Sequence, residues 1–196
     1  MEENLESYAN LEENLKEYGK DLADLPQEDS YLLSEVLKRK LQDKEISCLE
    51  IGAGSGIQLE VLESIGIKKI LGCDINRNAV AECKKKGFEC LYSDLFSNVK
   101  GKFDIIVFNP PYLPEEETED MGSKLSTTGG KKGSEIINRF LQQAEGHLKE
   151  GGEIILLTSS LTQDVDWRDW ERKKLAEKKL FFEKLFVWEL RKKNSC

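Results

Sequence analysis

Apolar residues in this chain fall in short unbroken runs, separated by stretches with helical spacing. Ile46–Ile51, Lys69–Asp74, Phe88–Tyr92, Phe103–Phe108 and Glu153–Thr158 have strand length and are rich in Ile, Leu, Val, Phe and Cys. Runs without polar alternation mark strands buried on both faces. Between them, Ser30–Leu41, Ile57–Ile65, Asn76–Lys86 and Ser134–Lys149 read as helices, with Gly87 placed to cap the third. Alternating strand and helix predicts an α/β fold with a mostly parallel, doubly wound sheet and helices on both faces. Past Thr158 the pattern loosens: Asp164–Ala176 reads as a helix and Leu180–Leu190 as an aromatic-rich strand.

Ahead of this body, Leu5, Tyr8, Leu11, Leu15, Tyr18, Leu22 and Leu25 recur every three or four residues. That spacing predicts an amphipathic helical arm over residues 1–25. It is read as packing on the body, with a lid or partner-docking element as the alternative. Residues 26–196 then form one domain, large enough for a proper core.

Charge separates the arm from the body. Residues 1–30 hold ten acids and two bases, which accounts for the whole net charge of −8. The remainder is balanced and shows no broad basic footprint, which makes duplex nucleic acid an unlikely partner. No apolar run approaches 18 residues and no secretory leader is visible, so a soluble, cytoplasmic protein is expected. The five cysteines form no CxxC pair, and Cys48, Cys73, Cys83 and Cys90 fall within predicted elements. They read as reduced core residues, not as a zinc or catalytic set.

The candidate chemistry gathers where strands end. Asn109-Pro110-Pro111-Tyr112 follows the run Phe103–Phe108 directly. Two prolines cannot continue a central strand, since each lacks the ladder N–H, so the chain leaves the sheet at Asn109. Ligands bind at that carboxyl end in open α/β sheets. There the Asn109 side-chain oxygen and the Pro110 carbonyl could accept both hydrogens of a planar NH2 group, with Tyr112 stacked on its face. Ile46–Ile51 contains Glu50 and is followed by Gly52-Ala53-Gly54-Ser55-Gly56, a turn that lets backbone approach a ligand closely. Asp74 ends the next strand at the distance where an acid can hold two ribose hydroxyls. Asp94, after Phe88–Tyr92, could accept an exocyclic amine, and Leu95 could cover a ring. Each acid alone reads first as a cap or turn residue; their shared position on successive strands is harder to explain by capping.

These residues resemble a known family. Glu50-Ile-Gly52-Ala-Gly54-Ser-Gly56, Asp74, Asp94-Leu95 and Asn109-Pro-Pro-Tyr112 look like class I S-adenosylmethionine-dependent methyltransferases with a Rossmann-like fold. Pro26-Gln27-Glu28-Asp29-Ser30-Tyr31-Leu32-Leu33 and Gly129-Gly130-Lys131-Lys132-Gly133, followed by Arg139-Phe140, resemble the archaeal and eukaryotic HemK/PrmC-like branch. The resemblance implies an antiparallel C-terminal strand and a sheet of seven strands. It implies methyl transfer to the glutamine amide of the GGQ motif in a class-1 peptide release factor. By the same resemblance Ser30, Glu50, Gly52, Gly54, Gly56, Asp74, Asp94, Leu95 and Asn109 would contact S-adenosyl-L-methionine. Asn109, Pro110, Pro111 and Tyr112 would hold the acceptor. Relatives usually work with a small zinc-binding activator protein, which would pair along Phe88–Tyr92. The chain departs from them in two places: Leu125-Ser126-Thr127-Thr128 stands where relatives often carry an aromatic residue, and Glu115, Glu116, Glu117, Glu119 and Asp120 make the following loop acidic. Base N-methylation, methylation of another side chain such as lysine, and a non-catalytic cofactor-binding scaffold are the alternatives.

Overall fold

The computed structural model describes residues 28–114 and 128–193. The N-terminal arm, the acidic loop residues Glu115–Asp120, the stretch Leu125-Ser126-Thr127 and Cys196 lie outside the described residues. Along the chain run α1 (Glu28–Lys40), β1 (Ser47–Ile51), α2 (Ile57–Ser64), β2 (Lys69–Asp74), α3 (Arg77–Lys85) and β3 (Cys90–Tyr92). They are followed by β4 (Phe103–Phe108), α4 (Glu135–Ala144), β5 (Leu148–Ser159), β6 (Trp170–Lys179) and β7 (Lys184–Lys192). The strands form one sheet in the order β3-β2-β1-β4-β5-β7-β6. β3, β2, β1, β4 and β5 run parallel to one another, and β7 is antiparallel to both β5 and β6. This is the α/β sheet expected, including the antiparallel C-terminal strand.

The unbroken apolar runs follow from two-sided burial. Cys48, Ile105, Val107, Ile155 and Leu157 face α1 and α2, against Leu33, Val36, Leu37 and Leu62. Their neighbours in sequence, Leu49, Ile51, Ile106, Phe108, Ile154 and Leu156, face α4, against Ile137, Phe140 and Ala144. Successive side chains of a strand point to opposite faces, so a strand covered on both sides needs apolar residues at every position. Each fully buried Leu or Ile contributes roughly 1.5–3 kcal/mol. The two layers thus fix both the sheet and its register.

Several expected elements differ. β3 starts at Cys90, not at Phe88, and β7 starts at Lys184, not at Leu180, because Leu180–Glu183 form a turn closed by the Leu180 N–H and the Glu183 carbonyl. The helix expected over Ser134–Lys149 ends at Ala144; a short 3-10 turn, Glu145–His147, follows, and Leu148 already pairs with Phe103. Gly146 weakens helix continuation there, and β5 extends back to take up the bonding edge of β4. The helix expected over Asp164–Ala176 is absent: Trp170–Lys179 is a strand that pairs with β7 from Trp170↔Lys192 to Lys179↔Lys184. Its residues, WERKKLAEKK, favour a helix in isolation, and sheet pairing overrides that preference. β5 therefore reaches β6 without an intervening helix.

At the amino ends of three strands, Asp104 joins β4 to its neighbours. Its carboxylate accepts from the Ser47 N–H and hydroxyl, each at 2.7 Å, and pairs with Lys149 at 2.7 Å. Burial opposes ionisation, but the Lys149 ammonium and the Ser47 donors outweigh it and bring the pKa down to about 2. A lowered carboxylate pKa stabilises the fold above its ordinary value of 3.8 and ceases to do so as pH falls toward about 2. Asp104→Ala should cost about 1–2 kcal/mol at neutral pH, the half-exposed ion pair adding little to the hydrogen bonds. The gap in denaturant midpoint between wild type and variant should close through that acid interval; a gap independent of pH would remove the carboxylate from the account.

Candidate active site

Sheet register brings the predicted residues to one rim. Ile51 lies opposite Cys73 on β2 and opposite Phe108 on β4. The residues that follow, Gly52, Asp74 and Asn109, therefore leave three adjacent strands side by side. Asp74 lies opposite Tyr92 on β3, which places Ser93 and Asp94 next in line.

The turn after β1 needs glycine for conformational reasons. Gly52, Gly54 and Gly56 have φ of 67°, 50° and 80°, a region that side chains with a Cβ rarely enter. Gly52 and Gly54 are exposed, so bare backbone faces the cleft. The Asp74 carboxylate braces this turn, accepting from the Gly54 N–H at 2.8 Å and the Asn76 N–H at 2.7 Å. Burial still pushes the Asp74 carboxyl up against the pull of those donors.

Glu50 is 2% exposed, and its Oε2 has no hydrogen-bond partner among the described residues. Burial, with Cys83 and Asp74 adding to it, raises its pKa well above the usual carboxylate range. An orphaned buried acceptor costs its full desolvation unless something donates to it. A ligand carrying an ammonium group would supply that donor.

Asn109 repeats the pattern with a neutral group. Its Oδ1 is buried and lacks a partner among the described residues. Its Nδ2 donates to Asp29 Oδ2 at 3.2 Å and lies 3.5 Å from the Ser30 hydroxyl. The Tyr112 hydroxyl donates to the same Asp29 oxygen at 3.4 Å. Ionised aspartate only accepts, so only the NH2 side of Asn109 can face it. The amide oxygen must then point the other way, toward the position of an incoming donor. Burial, reinforced by the Asp29 charge, pushes the Tyr112 phenol up and keeps it protonated.

The glycine-rich segment serves the same loop. Thr128 bridges Leu113, and the Gly129 N–H donates to the Leu113 carbonyl at 2.9 Å. A Cβ on Gly129 would meet the Pro111 carbonyl oxygen at 2.5 Å, and one on Gly133 (φ 77°) would overlap the Tyr112 carbonyl oxygen. The two backbones lie flush, with no room for side chains between them. Thr162 completes the support by donating to the Tyr112 carbonyl at 2.9 Å.

Of the predicted residues, Glu50, Gly52, Gly54, Gly56, Asp74 and the Asn109–Tyr112 segment converge on this rim, with Ser30 in the first turn of α1 beside Asn109. Asp94 sits at the end of β3, half exposed, and is paired with Arg139 of α4 at 2.8 Å. Leu95, with φ 47°, is 7% exposed and packs in the layer under α4. Sequence reasoning passed over Asp29, Arg139 and Thr162 as site residues, although Asp29 and Arg139 stand inside the motifs quoted above. Among the described residues no group of three or more His, Cys, Asp and Glu is placed to share a metal ion, and Cys48, Cys73, Cys83 and Cys90 are free and buried.

Residues 27–165 match the family described as methyltransferase small domain. The chain is 45% identical over 149 residues to a putative protein N5-glutamine methyltransferase of Methanocaldococcus jannaschii, covering 72% of this chain and 74% of that protein. The chain belongs to the HemK-like family of S-adenosylmethionine-dependent methyltransferases. The methyltransferase HEMK2 of Mus musculus, another relative, is 37% identical over 68% of this chain and 70% of its own length. A solved chain of the E. cuniculi Mtq2–Trm112 complex, described as responsible for methylation of the eRF1 translation termination factor, shares the fold with a TM-score of 0.69. It is 23% identical and covers 86% of this chain and 98% of that one. Among the described residues of this HemK-like protein, no helix is long and apolar enough to cross a membrane.

Proposed function

We propose that this methyltransferase modifies the side-chain amide nitrogen of the GGQ glutamine in a class-1 peptide release factor. The observation that carries the reading is the buried, unpartnered Asn109 oxygen, turned outward by Asp29. A primary amide offers two N–H donors in one plane. Asn109 Oδ1 takes one and the Pro110 carbonyl the other, while Pro111 and Tyr112 wall the plane. With both N–H bonds held, the nitrogen is fixed in place and positive charge developing on it meets two oxygens. The relatives named as glutamine and release-factor methyltransferases support the same acceptor.

The cofactor fits the donor set on two counts: the orphaned Glu50 oxygen suits its ammonium group, and the glycine turn leaves space at the backbone. When bound, S-adenosylmethionine supplies a methyl group activated by a sulfonium. Glu50 and Gly52 would hold its methionine portion and Ser30 would contact it. Asp74 would hold the ribose, and Asp94 with Leu95 the adenine. His147 is no base for this site: its ring stacks on Phe96 at 4.6 Å, and its Nδ1 lies 3.2 Å from the Gly101 carbonyl at the opposite end of β4.

A small zinc-binding activator is the proposed partner. β3 is an edge strand of the sheet, and the outward backbone row of Cys90–Tyr92 faces strand addition, with the Tyr92 carbonyl held by the Asn98 side-chain amide at 2.9 Å at its far end. Tyr92 is exposed there and carries the Arg77 guanidinium 3.9 Å from its ring centroid.

Mass spectrometry of a release factor incubated with the chain, the activator and the cofactor tests the reading. A single added methyl on the GGQ glutamine is expected. Transfer to tRNA, rRNA, DNA or lysine instead of that glutamine would overturn it.

A further inference from the structure

The β6–β7 hairpin ends in Leu180-Phe181-Phe182-Glu183. Phe181 is 91% exposed and Phe182 86%, more than any other large apolar residue described. Their rings meet edge to face with centroids 4.7 Å apart, so they form one aromatic knob. The turn beneath is closed by a hydrogen bond of 2.8 Å from the Leu180 N–H to the Glu183 carbonyl. Neither ring joins any of the core clusters. Two adjacent aromatic rings held in water contribute nothing to the fold; such exposure marks a contact surface.

Topology places the knob beside the pocket. β5 and β6 are both antiparallel to β7, so β6 ends at the same rim as β4 and Asn109. The tip is tied to the pocket wall on two sides. On one, Glu183 accepts from the Ser159 hydroxyl, and Ser160 and Lys184 exchange hydrogen bonds of 2.8 and 2.9 Å. Thr162, two residues on, holds the Tyr112 carbonyl. On the other side Lys178 pairs with Glu28, next to Asp29. The knob therefore stands outside the cleft, on a rim whose inner wall is Asp29 and Tyr112.

We propose that Phe181 and Phe182 dock the acceptor protein, seating in an apolar depression beside the loop that presents the modified side chain. This rests on the functional reading above, in which the acceptor is carried by a folded protein. A free amino acid reaching Asn109 would never meet the knob, whereas a body large enough to carry a loop into the cleft must lie across the rim. Lys179, exposed and without an ion-pair partner among the described residues, stands beside the tip. The matching surface is thus apolar with a carboxylate at its edge. Aromatic anchors of this kind dominate interface energetics once desolvated.

The test is the double variant F181S/F182S, assayed with its activator on intact release factor. KM for the protein should rise about tenfold or more, with kcat within about twofold, as expected on loss of binding energy that does not change between ground and transition state. Calorimetric affinity for S-adenosylhomocysteine should not move. F181L/F182L, which keeps an apolar knob, should hold KM within about threefold of wild type. An unchanged KM in F181S/F182S overturns the docking while leaving the reaction intact. So does loss of the activator, or wild-type self-association that the variant abolishes, since each assigns the knob to another occupant. If wild-type chain neither binds nor methylates the release factor, the functional reading fails and the docking falls with it.

Discussion

In N109D alone, methyl transfer should fall by about hundredfold or more, and adding D29N should restore much of it. The first substitution sets two carboxylates at the 3.2 Å separation now bridged by Asn109 Nδ2 and Asp29 Oδ2. Like charges at that distance repel or share a proton, and either outcome disturbs the oxygen that should face the acceptor. In the double variant the donor lies on residue 29 and the acceptor on residue 109, so the contact re-forms with reversed polarity. The carboxylate at position 109 then keeps a second oxygen for the incoming N–H. Recovery to within about tenfold of wild type is expected, a coupling of a size double-mutant cycles resolve. N109A, which leaves no acceptor, should lose roughly 10²–10³ in kcat, the loss seen when one positioned polar group is removed from an active site. Cofactor affinity, measured by calorimetry, should change far less than turnover in all of these, because the groups that would hold the methionine portion and the ribose, Glu50, Gly52 and Asp74, belong to β1, the turn after it and β2. A double variant no more active than N109D would refute the idea that Asp29 sets the orientation of the Asn109 amide.

Adding one methyl group at Gly133 should disable the enzyme nearly as completely. The new Cβ would overlap the Tyr112 carbonyl oxygen, and the residue would hold an unfavourable φ of 77°. The obstacle is backbone, so no rotamer change relieves it; the Asn109–Tyr112 loop must move. Displacing a positioning group by about 1 Å can cost about hundredfold in rate, and G133A should lose at least that much. G129A, which meets the Pro111 carbonyl oxygen at 2.5 Å, should behave alike. Both should still bind S-adenosylhomocysteine, and their far-ultraviolet spectra should be those of the wild type. G146A is the control: among the described residues nothing lies within 4 Å of its Cβ, and its activity should be unaltered. Near-normal kcat in G133A would mean that the glycine segment does not hold the loop in place.

The parallel half of the fold was readable because two-sided burial leaves a strong mark. Lys69–Asp74 and Phe103–Phe108 are strands over the very residues their apolar runs span. The strand exits were readable too, since Pro110 and Pro111 forbid any continuation. Trp170–Lys179 was not: its Glu, Arg, Lys and Ala residues favour a helix, and only β7, paired against it, decides otherwise. Asp29 was hidden differently. It stands in a quoted motif, but its role depends on meeting Asn109, 80 positions away. No local pattern reports which way round an amide sits. The glycines of the segment from Gly129 to Gly133 stand out as a motif, yet their reason is the backbone they touch.

The Asp104 seam and the Asn109 pocket occupy opposite rims of one sheet, at the two ends of the same strand. Substitutions that harden the protein against heat can therefore gather around Ser47, Asp104 and Lys149 without touching turnover. The converse also holds: the pocket rim is free to drift toward new acceptors while the far rim holds the strands in register. A scaffold arranged in this way lends itself to engineering in two independent campaigns, one for endurance and one for choice of substrate.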